Sequence, residues 1–123
     1  MKQYLLATYA VEDQVPGAPS SPEEMQTFME RVMTLEAEMD ASGAFVFGGA
    51  LLDSEAASVL STQAGDWRMT KGPVADTKEQ IAGFYIINAA DLEGALDWAS
   101  KVVEATRHAI EVRPFRATGR LQM

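Results

Sequence analysis

The residues best suited to chemistry crowd one short stretch, KGPVADTKEQ, residues 71–80, where a Gly-Pro turn leads through charged and amide side chains into an apolar run. Asp76 and Glu79 are the candidate general bases. Lys78, with Arg113 further on, can neutralise an anion, and Tyr85, Trp67 and Arg68 are candidate walls of the same pocket. Loop groups fixed at the mouth of a buried strand are where ligands commonly bind, so acid–base transfer on a small aromatic or oxo-acid is one reading. The competing reading is structural: Asp76 or Glu79 pairs with Lys78, Lys71 or Arg113 and merely pins the loop. His108 is the only imidazole. Its ordinary pKa suits proton transfer, but no acidic neighbour in sequence is spaced to orient it, so an edge or surface role is expected.

Other chemistries have no signature. The chain has no cysteine, which excludes disulfides, thiolate metal sites and thiol nucleophiles and fits a cytoplasmic setting. Phosphate-loop, dinucleotide and nucleophile-elbow motifs are missing, and no His or carboxylate spacing suggests a metal, so no cofactor is expected. A net charge of −8 repels phosphate backbones and anionic lipid, which argues against nucleic acid and membrane surfaces as partners. No apolar stretch approaches the ~20 residues of a membrane span. The early apolar run, residues 4–11, has one Lys before it and meets Glu12 and Asp13 at once, as a first strand does and a signal peptide does not.

The elements that must position these groups can be read from pattern. At 123 residues, 47% apolar and 23% charged, the chain fits one globular domain over residues 1–123. KQYLLATY, Lys2 to Tyr9, is apolar at odd and even positions, as a strand covered on both faces would be. VPGAPSSPEE reads as a loop, and Ser21-Pro22-Glu23-Glu24 opens a helix with a capping hydroxyl and Pro at its first position. Met25, Phe28, Met29, Val32, Leu35 and Met39 form its core stripe, and Gly43 ends it. AFVFGGALL is a strand whose Gly48-Gly49 pair marks a bulge or a close approach, the bulge being the expectation. SVLS and WRMT flank a short turn and form an inserted hairpin. GFYIINA is a strand apolar on both faces. Asp91 caps a helix carrying Leu92, Ala95, Leu96, Ala99 and Val102 on one side, and AIEVRPF is a closing strand with one wet or paired face.

This order is β-α-β, hairpin, β-α-β. Two helices cover one face of a four-stranded sheet, so the other face needs a partner, and a second copy placed sheet against sheet is the natural cover. A homodimer is expected.

The run KGPVADTKEQIAGFYII, followed by DLEGALDWAS and IEVRPF, resembles the YCII-related superfamily, in particular its branch named for an Asp-Gly-Pro-Phe motif. Gly72, Pro73, Lys78, Glu79, Gly83, Phe84 and Tyr85 carry the resemblance; the name-giving motif itself reads Lys71-Gly72-Pro73-Val74, and the usual Glu two places on is Asp76. The resemblance implies a ferredoxin-like α+β fold, βαββαβ with the inserted hairpin, its sheets pairing as a dimeric α+β barrel. It also implies a bacterial family of mostly undefined function, some members linked to extracytoplasmic-function sigma factors. Better-studied relatives imply a first-helix His paired with an Asp; this helix has no His, and Val32 falls about there. Three classes follow: a binding or regulatory module holding a small molecule, a cofactor-free lyase or isomerase, or a pure interaction protein.

Overall fold

The computed structural model describes residues 2–11 and 21–117. Along the chain come β1 (Lys2–Val11), α1 (Pro22–Ser42), β2 (Phe45–Ala50), one 3₁₀ turn (Ser54–Ala56), β3 (Ser58–Gln63), β4 (Asp66–Lys71), β5 (Glu79–Ala89), α2 (Leu92–Thr106) and β6 (Ala109–Pro114). The Pro- and Gly-rich stretch expected as a loop lies, over residues 15–20, outside the described residues. Strands β2, β5, β1 and β6 form one antiparallel sheet in that order, and β3 pairs with β4 in a separate ribbon. The two doubly apolar strands, β1 and β5, sit in the middle. This is the ferredoxin-like α+β arrangement with an inserted hairpin.

Both helices start and stop where local chemistry dictates. Ser21 Oγ accepts the Glu24 N–H at 3.1 Å, and Asp91 Oδ1 accepts the Gly94 N–H at 2.9 Å, each satisfying an amide that the first turn would leave unpaired. Gly43 closes α1 at φ +81°, in the left-handed region that a side chain disfavours. Replacing the cap, Ser21→Ala, is expected to lower unfolding stability by about 1 kcal/mol. A denaturation midpoint equal to that of the parent would contradict that role.

The core lies between the sheet and the helices. Tyr4 and Leu6 from β1, Tyr85 and Ile87 from β5, Leu35 and Met39 from α1, and Ala95, Ala99 and Val102 from α2 are buried together. Only the C-terminal half of the expected α1 stripe belongs to it: Met25 and Met29 are exposed. A 21-residue helix is about 31 Å long, whereas six-residue β2 spans about 20 Å, so the first turns of α1 run past it. On α2 the buried set is Ala95, Ala99, Val102 and Ala105, while Leu92 and Leu96 are half exposed on the flank.

The Gly48-Gly49 expectation is corrected in detail. The extra residue in β2 is Val46, between Phe45 opposite Ile87 and Phe47 opposite Ile86. Gly48 is instead a close approach: a Cβ there would collide with the Tyr85 ring and lie 2.9 Å from the Phe84 carbonyl oxygen. A second bulge falls in β5, where Thr8 pairs with Gly83 but Tyr9 pairs with Ile81, leaving Ala82 as the extra residue.

The opposite face of the sheet carries no described helix. Leu5 and Ala7 of β1, Phe84 and Ile86 of β5, Phe47 of β2, and Glu111 and Arg113 of β6 alternate with the core residues and share that face. Phe47, 59% exposed, leans on Phe84 with ring centroids 5.9 Å apart.

Candidate functional site

The 72–78 loop is pinned by neutral groups, not by ions. The Gln80 side-chain amide donates to the Ala75 carbonyl at 2.7 Å and to the Thr77 carbonyl at 2.9 Å, and the Thr77 hydroxyl donates to the Glu79 carbonyl at 2.8 Å. Gly72, at φ +103°, donates its N–H to the Ala57 carbonyl at 2.8 Å and ties the loop to the hairpin root. Asp76, Lys78 and Glu79 are exposed. Among the described residues the ion pairs join Lys101 to Glu38 and Arg113 to Glu111, so the expected pinning pairs of Asp76 or Glu79 with Lys78, Lys71 or Arg113 do not form. Glu79 is also not a loop residue: it opens β5 opposite Val11. An exposed carboxylate without an ion pair contributes little to folding, and Glu79→Gln is expected to change unfolding stability by less than about 0.5 kcal/mol in urea titration.

Tyr85 stands apart from this loop. Six strand positions, about 20 Å, separate it from Glu79. Its ring is buried on the helix side, and its hydroxyl donates to Glu36 Oε2 at 2.7 Å, tying β5 to α1. Burial, then the hydrogen bond to Glu36 and its charge, push the phenol well above its ordinary value, so Tyr85 stays protonated and serves as a donor. Trp67 lies on the hairpin, 73% exposed. Arg113 lies on β6, its Nη2 donating to Glu111 Oε2 at 3.0 Å. Arg68 is exposed beside Trp67 on β4. The seven sequence candidates therefore do not converge on one pocket. His108, half-buried at the entry to β6, has its pKa pushed down by desolvation, which favours the neutral ring.

Other residues do come together. On the bare sheet face the Tyr9 hydroxyl donates to Glu111 Oε1 at 3.2 Å, so Tyr9, Glu111 and Arg113 make one polar cluster beside Ala7 and Leu5. Burial and the Glu111 charge raise the Tyr9 pKa, keeping that phenol neutral too. A cleft of about 350 Å³ opens where the loop meets the end of β2, lined by Leu51, Leu52, Pro73, Gln80 and Ile81 with Asp53 and Ser54 among its polar groups. A shallower groove of about 490 Å³ runs between the helices, where Arg31 Nε donates to the Ala105 carbonyl at 3.3 Å and Lys101 meets Glu38. Among the described residues no three His, Asp or Glu side chains gather as a metal site requires. No helix among them is long and apolar enough to cross a membrane.

Sequence reasoning missed the Tyr9–Glu111 contact because 102 positions separate the two residues. The alternation of Glu111 and Arg113 against Ile110 and Val112 was the available signal, since it places both charges on the face away from the helices. The Leu51-Leu52 pair just past β2 was the available signal for the cleft.

The sequence profile of the YCII-related domain matches residues 2–117, which takes in every element of the sheet and both helices. The chain belongs to the YCII-related family. An uncharacterised protein from Rhizobium meliloti (strain 1021) is 32% identical to it over 113 residues, covering 90% of this chain and 91% of that one. In this YCII-related chain, Val32 occupies α1 half-buried, in the region where the resemblance to better-studied relatives implied an imidazole.

Proposed function

We propose that this YCII-related protein is a homodimeric binding or regulatory module, joined through its bare sheet faces and holding a small molecule between them. The observation that carries the reading is the sheet face that no helix among the described residues covers, bearing Phe47, Phe84, Leu5 and Ile86, with Phe47 59% exposed in the single chain. An apolar sheet face of this kind is the surface that association removes from water. Tyr9, Glu111 and Arg113 supply a polar end to that apolar strip. The Arg113 guanidinium keeps donors beyond the one engaged with Glu111, which suits a small, largely apolar molecule with an anionic or acceptor end.

A binding role is favoured over acid–base catalysis on Glu79 or Asp76 because both carboxylates are exposed, and Glu79 stands six strand positions from the buried Tyr85. A general base needs to be held within reach of its proton by neighbouring groups. Sedimentation equilibrium at micromolar concentration tests the assembly: twice the chain mass is expected, and a monomer mass would overturn the reading.

A further inference from the structure

The hairpin is the part of the molecule least explained by the core. Strands β3 and β4 pair only with each other and barely touch the main sheet or helices. Their turn, Ala64-Gly65, has φ +53° and +88°, the double left-handed turn that fits the twist of a two-residue hairpin. Opposite pairing of Leu60 with Met69 and Thr62 with Trp67 puts Leu60, Met69 and Trp67 on one side of the ribbon, 65%, 65% and 73% exposed. A two-stranded ribbon is marginal in water unless its apolar side is covered.

We propose that this hairpin is an arm whose Trp67 side docks into the cleft lined by Leu51, Leu52, Pro73 and Ile81 of a second copy. The inference rests on the dimer reading given above. The arm cannot fill its own cleft, because that cleft contains Ala57 and Pro73 at the arm's root while Trp67 lies four positions beyond Lys71, about 13 Å outward. The cleft has the volume and the aliphatic lining to take an indole, and Trp side chains seated in such pockets are typical anchors of interfaces. The docking side carries no carboxylate: Lys71 shares it with Trp67 and Met69, whereas Asp66 and Arg68 alternate onto the other side, and the cleft presents Asp53. Finally, Ile81 belongs to both surfaces: it lines the cleft and pairs with Tyr9 at the end of the bare sheet face. A two-fold partner covering that face brings each arm to the other copy's cleft, making the contact reciprocal.

The chain's lack of cysteine makes the test direct. Two single-cysteine proteins, Trp67→Cys and Leu52→Cys, are mixed at equal concentration and treated with oxidant or with a short bis-maleimide. A covalent heterodimer in the mixture, with little covalent dimer in either protein alone, is expected. In the otherwise unaltered chain, Trp67→Ala is expected to raise the dimer dissociation constant at least tenfold while far-UV circular dichroism is unchanged. If sedimentation shows the unaltered protein to be dimeric but the mixed cysteines fail to cross-link and Trp67→Ala dissociates at the parent concentration, the arm is overturned and the sheet-face dimer stands. A monomeric parent overturns both.

Discussion

Gly48→Ala, the addition of one methyl group, is expected to destabilise the fold by about 3 kcal/mol, the upper range for overpacking a filled site. The new Cβ would strike the Tyr85 ring and sit 2.9 Å from the Phe84 carbonyl oxygen. Neither neighbour has room to yield. The ring is buried, held edge-on to Phe45 at a centroid distance of 6.2 Å and tethered at its hydroxyl to Glu36. The carbonyl belongs to a central strand paired on both sides. Relief requires β2 to lift from β5 or the tyrosine to leave its pocket and abandon the tie to α1. Urea unfolding measures the loss, and a shift below about 0.5 kcal/mol would show that the ring does not pack across Gly48. Gly49→Ala is the natural control, since nothing lies within 4 Å of the Cβ it would add.

Phe47→Asp is expected to do the reverse: leave the chain folded and abolish the dimer. Phe47 is 59% exposed in the single chain and outside the buried core, so its loss costs the monomer little. In a sheet-to-sheet dimer the same position brings an unpaired carboxylate from each copy into an apolar interface, and the cost is several kcal/mol. A loss of about 3 kcal/mol corresponds to a dissociation constant raised more than a hundredfold, readily seen by sedimentation equilibrium across a concentration series. A parent-like dissociation constant would remove the bare face from the interface.

How far these features could be read in advance varies along the chain. Ser21, Gly43 and Asp91 announced the helix ends because capping depends on neighbours three or four positions away, a range that sequence displays directly. The hairpin was legible for the same reason. The bare face followed from counting helices against strands apolar on both sides. Tyr85 was misplaced because Phe84 and Tyr85 are both aromatic, so alternation gave no sign of which one faced the helices, and the Ala82 bulge shifts the phase between Glu79 and Tyr85. Glu79 was taken for a loop residue because charge and amide groups hide a strand at its exposed end. The α1 stripe had helical period throughout, yet burial ended with Leu35 and Met39, since period reveals a face and not the length of what lies beneath it.

The manner in which the 72–78 loop is tied has a consequence for the conditions under which it keeps its shape. Gln80 holds Ala75 and Thr77 through an amide that carries no charge, and Gly72 is held by a backbone bond. Bonds of this kind do not depend on the protonation of a carboxylate, and mobile ions do not screen them as they screen a surface ion pair, whose reach shrinks to about 3 Å in molar salt. The loop is therefore indifferent to ionic strength and to mild acid. Its exposed charges, Asp76, Lys78 and Glu79, take no part in these ties, so they can change without disturbing the turn that carries them.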